Sequence, residues 1–258
     1  MKLFDWKNDP VVLPLNQAFP ELNQVREFQS RQCIFSHDRK KIFAVAGKNY
    51  QPVPHRILID TVEQALKGID LTGYKRNIVT TNEGARMLAE YRLPQLKLEP
   101  QVGDVVHTAL RITNSYDLSW KLDIRLAAHQ LVCKNGMVVG REFGSVSAKH
   151  YKGVIGEDLK VITSSLSAMV GNLPKLGSRW ELWGHTQVSE ESVRARLEAA
   201  PWVPKKHAEY ILAGKFPMSL WDLYSRFTYA STHMTSSINR QVELDDRVSA
   251  LFYDEVEE

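Results

Sequence analysis

The side chains whose type and spacing best suit a chemical role are basic residues that recur along three consecutive strand-like segments. They are Arg111, Lys121, Arg125, Lys134 and Arg141. If the three segments pair as antiparallel neighbours, several of these cations lie on one face of a sheet. Such a face can neutralise the phosphates of a nucleic acid. The alternative interpretation is an ordinary solvated sheet surface.

The residues just after these strands extend the same candidate surface. Lys149 and Lys152 are further phosphate contacts in this interpretation, and Tyr151 or Trp120 are candidates for stacking on bases. For Trp120, a place in the hydrophobic core is the preferred assignment. The sequence therefore predicts a binding platform made of cations and one or two aromatic rings, and no pocket.

Catalytic motifs are absent from the sequence. There is no GxxxxGK[ST], GxGxxG or GxSxG segment, and the 8 histidines form no HxH, HxxxH or HExxH pair. Cys33 and Cys133 are far apart, which favours two reduced, buried thiols. Asp104, Asp117 and Asp123 leave one alternative open, a carboxylate cluster for a divalent ion in a nuclease. We expect no enzyme, no cofactor and no metal site.

The charge is distributed unevenly along the 258 residues. The formal net charge is +3, but residues 241–258 carry seven carboxylates and one arginine, which leaves about +9 on residues 1–240. A basic body favours an anionic partner. We expect the acidic tail to be mobile and either to compete for the basic surface or to recruit a host or phage protein.

Composition places the chain among globular proteins. Hydrophobic residues make up 43% of it, and the mean hydropathy is -0.30. No stretch approaches the roughly 18 to 20 apolar residues of a membrane-spanning helix, and the first ten residues lack the apolar core of a signal peptide. We expect a soluble cytoplasmic protein without a membrane partner.

The elements that must position the basic residues can be read from periodicity. Apolar residues alternate over 106–112 and again over 120–128, and Asn135-Gly136 then suits a tight hairpin turn into a return strand over 138–143. Helical spacing over 157–172 predicts an amphipathic helix packed on that sheet. This order predicts a β-β-β-α core.

Secondary structure can also be predicted for the regions on both sides of this core. A helix is predicted from His55 to Gly68, and the shorter segments around it predict strands at 32–35, 41–46, 78–80 and 86–93. Further helices are predicted to begin near Ser189, Lys205 and Ser219. We therefore predict an α+β fold with an antiparallel β-sheet, a packed helix and a helical C-terminal region. The predicted domains are a sheet-containing core over 1–200 and a helical region with an acidic tail over 201–258.

Several short runs resemble a known family. They are Gly47–Val53, Gly84–Arg86, Gly103–Asp104, Leu110–Asp117, Leu131–Gly136 and Trp221–Tyr224. Together they resemble the phage- and plasmid-like proteins grouped as domain-of-unknown-function family nine-three-two, over roughly residues 45 to 250. The resemblance implies an origin in a mobile element. It supplies no catalytic residues.

The order of elements is also similar to the core of the ring-forming single-strand annealing proteins of phages and of eukaryotic recombination. That resemblance implies a homo-oligomer that binds single-stranded DNA for recombination or strand annealing, a task that needs no active site. The alternative is a non-catalytic protein-binding module, such as an inhibitor of a host defence enzyme or a replication accessory factor. Steep salt dependence of binding would distinguish DNA from an apolar protein partner.

Overall fold

The N-terminal part of the chain forms a three-stranded antiparallel sheet. The computed structural model describes residues 9–22, 26–130, 136–140, 143–148 and 155–253, and the first three strands are β1 (Val11–Pro14), β2 (Arg31–Phe35) and β3 (Ile42–Gly47). β2 lies in the centre, and a short helix α1 (Leu15–Ala18) follows β1. Cys33 is a buried free thiol in this sheet, as predicted, while Cys133 lies outside the described residues.

A larger antiparallel sheet follows. Its strands are β4 (Lys75–Thr81), β5 (Arg86–Leu98), β6 (Val106–Ser115), β7 (Leu122–Gln130), β8 (Gly136–Val138) and β9 (Ser145–Ala148). The strand order is β4-β5-β6-β7-β8, and β9 pairs with the first half of β7. The predicted strands over 106–112 and 120–128 pair as antiparallel neighbours in β6 and β7, and the segments predicted over 78–80 and 86–93 pair in β4 and β5.

The helices surround this sheet. They are α2 (His55–Gly68), α3 (Ile155–Gly171), α4 (Leu173–His185), α5 (Glu190–Ala199), α6 (Lys205–Leu212), α7 (Leu220–His233) and α8 (Ile238–Tyr253). A two-stranded ribbon of β10 (Gln187–Val188) and β11 (Met218–Ser219) lies between them in sequence. Ser189 and Ser219 cap α5 and α7, because each hydroxyl accepts a hydrogen bond from the backbone three residues later. The predicted α+β class is confirmed.

The central strand β6 is buried along almost its whole length, on both faces of the sheet. On one face, Tyr91 pairs across from Leu110 and its hydroxyl donates to Glu63 of α2 at 3.0 Å. On the other face, Arg111 reaches Asp245 of α8. Helices therefore cover both faces, and the expectation of one solvated face is wrong.

The main hydrophobic core contains a group of buried aromatic rings. Trp180 and Trp183 of α4 pack against Trp221 and Tyr224 of α7, and Phe252 of α8 completes the group. These rings come from both sides of the predicted domain boundary at residue 200. The boundary itself stays a prediction.

Over residues 241–253, the acidic C-terminal segment is not the mobile tail that the sequence suggests. Up to Tyr253 it forms α8, which buries Val242, Leu244, Val248 and Phe252. Its apolar residues recur at helical spacing, so one side of the helix packs into the core. Residues 254–258 lie outside the described part of the chain. Within the described residues, no helix has both the length and the apolar character needed to cross a membrane.

Candidate functional site

Arg111 and Arg125, two of the predicted phosphate contacts, lie inside the protein. Arg111 is 6% exposed and Arg125 is 4% exposed. They are cross-strand neighbours on β6 and β7, as the predicted pairing requires, so the prediction that they share a face is confirmed. The prediction that this face is open to a ligand is wrong in this structure, because α8 covers it.

Carboxylates of the acidic segment neutralise both buried arginines. The Arg111 guanidinium lies 2.6 Å from a carboxylate oxygen of Asp245, and Arg125 pairs with Asp246 and, at 3.0 Å, with Asp123. Burial raises the pKa of the Asp245 carboxyl, although Arg111 and the Ser231 hydroxyl both act to lower it. A buried cation requires such partners, because an uncompensated charge in the interior is strongly destabilising.

Of the remaining predicted contacts, the structure describes only Lys121, which is exposed. The others lie outside the described residues, and their roles stay predictions: Lys134, Arg141, Lys149, Tyr151 and Lys152. Trp120 is half-buried and belongs to none of the hydrophobic clusters of the described chain, so the prediction that it lies in the core is wrong.

Two of the runs that carry the family resemblance, Gly84–Arg86 and Leu110–Asp117, meet at one end of the large sheet. Three turns meet there, over residues 37–41, 82–85 and 116–121, and we call them the turn cluster. Lys41 reaches from the first turn to Glu83 of the second at 2.7 Å, and Asn82 of the second donates to Asp117 of the third at 2.7 Å. The turn cluster thus also joins the N-terminal sheet to the larger sheet.

A buried network lies directly beneath the turn cluster. The His55 ring stacks on Tyr116 with 4.0 Å between ring centroids, and the Tyr116 hydroxyl accepts a hydrogen bond from the His55 backbone N–H at 2.6 Å. Asn114 Nδ2 lies 2.9 Å from His55 Nδ1, and His55 Nε2 lies 3.1 Å from the carbonyl oxygen of Gly84. The carbonyl oxygen of Gly84 can only accept, so His55 Nε2 donates the hydrogen bond between them. This network fixes the positions of the turns above it.

Asp117 holds two of the turns together. Its carboxylate accepts hydrogen bonds from Arg86 at 2.6 Å, from Asn82 at 2.7 Å, and from the backbone and hydroxyl of Ser119. Burial acts to raise the pKa of Asp117, but the hydrogen bonds from Ser119, Arg86 and Asn82 outweigh it and the pKa is lowered. Asp117 is therefore an ionised structural anchor at neutral pH.

The backbone of the turn cluster is strained. Asn82, Glu83 and Leu118 have φ angles of 52°, 56° and 64°, and Arg39 has a φ of 57°. The left-handed region costs a residue with a Cβ roughly 1 kcal/mol or more, least for Asn. Strain of this kind concentrates at functional sites, where the surrounding structure holds it in place. Here the Asp117 hydrogen bonds from Asn82 and Ser119 restrain the second and third turns.

The open side of the turn cluster is rich in cations. Arg39, Lys40 and Lys121 are exposed, and the Arg86 guanidinium lies 5.7 Å from the centre of the half-buried Trp120 ring. Arg86 and His55 were missed as site residues at the level of sequence. Arg86 belongs to one of the runs that carry the family resemblance, which was the available signal.

The alternative of a metal-dependent enzyme finds no support among the described residues. No group of three or more His, Cys, Asp or Glu side chains there could hold a metal ion. Asp104 accepts a hydrogen bond from Trp221 at 2.6 Å before the start of β6, whereas Asp117 follows its end. A ten-residue strand separates them by about 30 Å. Asp123 is paired with Arg125.

The fold and site define a class of protein, an α+β protein whose antiparallel sheet is covered on both faces and bears a cationic cluster of turns at one end. More narrowly, the chain belongs to the family described as a domain of unknown function (DUF932), whose model matches residues 42–242. The match begins at β3, so β1 and β2 precede it. Neither a curated protein nor a solved structure matches the chain.

Proposed function

We propose that this protein binds single-stranded DNA through the turn cluster, as a homo-oligomer acting in recombination or strand annealing of a mobile element. The observation that carries the proposal is the exposure of Arg39, Lys40 and Lys121 in the turn cluster, which also contains the half-buried Trp120 ring. Cations that track the phosphates and an aromatic ring that stacks on bases are the combination by which proteins hold single strands.

The carboxylates of the turn cluster leave part of its positive charge free. Asp117 is held by Arg86, Glu83 by Lys41 and Asp38 by Lys40 at 3.4 Å. Within the described part of the chain, no carboxylate lies within 4.0 Å of Arg39 or of Lys121, so these two cations carry the net charge. They are therefore available to neutralise phosphates.

Arg111 and Arg125 are left out of the proposed interface, because a strand of DNA cannot reach them beneath α8. Their carboxylate partners occupy the positions that phosphates would need. The proposed interface therefore keeps Lys121 and Trp120 from the sequence prediction. It replaces the two buried arginines by Arg39 and Lys40.

Titration of the purified protein with a fluorescent single-stranded oligonucleotide at about 50 and 200 mM salt tests the proposal. We expect steeply salt-dependent binding, because phosphate binding releases counterions. Replacing Lys121 by Glu should weaken binding and lower the slope of the salt dependence by about one. Replacing Trp120 by Ala should weaken binding about 5- to 100-fold, as expected for the loss of stacking on one base, and Trp120→Phe should retain most of it.

Lys175→Glu is the matched control, because Lys175 is an exposed lysine on α4, which packs near Leu98 at the opposite end of the sheet. It changes the net charge by the same amount as Lys121→Glu and should weaken binding much less. Equal effects of the two substitutions, or no binding at the lower salt, would overturn the proposal. Light scattering on the same samples reports whether the bound form is an oligomer.

A second candidate function, a module that binds another protein, is supported by a different part of the structure, the edge strand β3.

A further inference from the structure

β3 is an edge strand without the features that normally protect one. Among the described strands it borders only β2. Its six residues, Ile42 to Gly47, include no charged residue and no proline, and Ile42 and Val45 are 43% and 46% exposed. An open apolar edge strand readily pairs with a strand from another chain, so natural proteins rarely leave one unprotected.

The other described edges of the two sheets show such protection. β1 ends in Pro14, which has no N–H to donate, and β4 begins with the charged pair Lys75 and Arg76. β8 and β9 are only three and four residues long. Compared with these edge strands, β3 is unprotected, which favours pairing with a strand of another chain.

The backbone of β3 is oriented to receive another strand. The Lys48 N–H donates to the Ser30 carbonyl at 2.9 Å, and Ala46 pairs with Gln32. In an antiparallel ladder successive residues alternate between facing the neighbouring strand and facing away from it. Ala46 therefore bonds towards β2, and the N–H and C=O of Val45 point to the open edge.

Charge at the two ends of β3 restricts what can pair with it. Arg39, Lys40 and Lys41 precede the strand and Lys48 follows it. Lys40 and Lys41 are paired with Asp38 and Glu83, so Arg39 supplies the net charge at the first end. Antiparallel pairing of two copies through β3 would bring Lys48 of each copy towards that end of the other, and like charges across a ladder are destabilising. An apolar strand with acidic residues at both ends would instead match the charge at each end.

We infer that β3 binds an extended apolar segment of a partner protein, flanked by acidic residues, by strand addition to the N-terminal sheet. Main-chain hydrogen bonds from Val45 supply affinity, and contacts with Ile42 and the flanking cations Arg39 and Lys48 supply specificity. The inference rests on the strand edge and does not depend on DNA binding.

Fluorescence anisotropy with two synthetic nine-residue peptides tests the inference. Both contain five alternating valines and threonines, and one has two glutamates at each end whereas the other has two lysines. We expect the protein to bind the acidic-ended peptide and not the basic-ended one. Val45→Pro removes the outward N–H and should weaken binding about tenfold, since strand addition depends on such bonds, whereas Val45→Thr should stay within about twofold.

Lys48→Glu is a second test variant, and it leaves the backbone of β3 intact. It should weaken binding of the acidic-ended peptide and strengthen binding of the basic-ended one. Circular dichroism confirms that the Val45→Pro protein is folded, and its unchanged affinity for single-stranded DNA would separate this site from the turn cluster.

Two results would overturn the inference. One is that Lys48→Glu leaves the preference between the peptides unaltered, or that a folded Val45→Pro protein binds as well as Val45→Thr. The other is that neither peptide binds while light scattering shows a dimer that Val45→Pro dissociates, since a second copy would then occupy the edge.

Discussion

Lys121 and Arg125 are four residues apart in the sequence, yet Lys121 is exposed and Arg125 is 4% exposed. Arg125 shares the covered face of the sheet with Arg111, where α8 brings Asp245 and Asp246 to them. Lys121 lies in the turn cluster, where the nearby carboxylate of Asp117 is already held by Arg86. The two basic regions therefore differ: one is buried and paired with carboxylates of a helix, and the other is exposed in a turn.

The difference between the regions comes from distant parts of the chain. On the covered face, two carboxylates of α8, more than 100 residues away in sequence, join Asp123 in compensating the arginines, and the cations become part of the packing between sheet and helix. In the turn cluster the carboxylates belong to the same turns and fix their shape. Whether a basic side chain can serve a ligand depends on where its counter-charge lies.

The largest effect is expected from removing the helix that covers the sheet. Deleting residues 241–258 takes Val248, Phe252 and Tyr253 out of the core, and a single buried Phe→Ala substitution already costs about 3 to 5 kcal/mol. We expect loss of the cooperative unfolding transition in urea. Deleting only residues 254–258 is the control and should leave it in place. A folded protein with tighter DNA binding after the longer deletion would mean that α8 is a removable cover.

Removing one charge from the covered face should have the next largest effect. Asp245→Asn leaves the buried Arg111 without its counter-charge and should lower the free energy of unfolding by about 3 to 5 kcal/mol. The double substitution of Arg111 by Met and Asp245 by Leu should recover most of that loss, because an apolar pair needs no compensation. Asp246→Asn, at a carboxylate that is 46% exposed, should cost much less. If urea titrations gave similar losses of unfolding free energy for Asp245→Asn and Asp246→Asn, the claim that the Arg111–Asp245 pair is buried would be contradicted.

A smaller effect of opposite sign is expected in the turn cluster. Leu118 has a φ of 64°, so Leu118→Gly should relieve strain and raise the unfolding free energy by about 1 kcal/mol. Gly84→Ala is the matched reverse change. Gly84 has a φ of 92° and nothing within 4 Å of an added Cβ, so its expected loss of about 1 kcal/mol is conformational. Thermal unfolding gives the change in stability of both variants. Destabilisation by Leu118→Gly would contradict the claim that the backbone at Leu118 is strained.

The smallest effect concerns pH. Hydrogen bonds hold the pKa of Asp117 below its usual range despite its burial. The unfolded carboxyl has a pKa of about 3.9, so the stabilisation is present above roughly pH 4 and is lost as the pH falls through the lower, folded pKa. Urea midpoints between pH 7 and pH 3 should therefore fall less for Asp117→Asn than for the unsubstituted protein. If the urea midpoints of the two proteins changed equally with pH, the ionised Asp117 carboxylate would contribute nothing to stability.

Local signals in the sequence were sufficient for most of the secondary structure. The helix from His55 to Gly68 was predicted to the residue, because proline and glycine bracket an amphipathic repeat. α4 was missed, because no helix is predicted between the segment 157–172 and Ser189, where Pro174 follows the first helix almost at once. Proline is equally compatible with the first turn of a new helix, which is where it lies.

The site was predictable only in part. Strand alternation correctly placed Arg111 and Arg125 on one face, but no local pattern reveals that Asp245 covers them, because that contact depends on the packing of α8. The sequence runs that resemble the family include several residues of the turn cluster, but they do not show that these residues lie close together in the fold. Their convergence depends on the pairing of β4 with β5 and of β6 with β7, and on the docking of the N-terminal sheet.

The central claim is that the turn cluster is open to a ligand and the basic face beneath α8 is closed. Phenylglyoxal labelling of arginines, followed by peptide mass spectrometry with and without a single-stranded oligonucleotide, tests it most directly. We predict rapid labelling of Arg39 that the oligonucleotide suppresses, and no labelling of Arg111 or Arg125 until urea unfolds the protein. Rapid labelling of Arg111 and Arg125 in the folded protein, with protection by the oligonucleotide, would contradict the account.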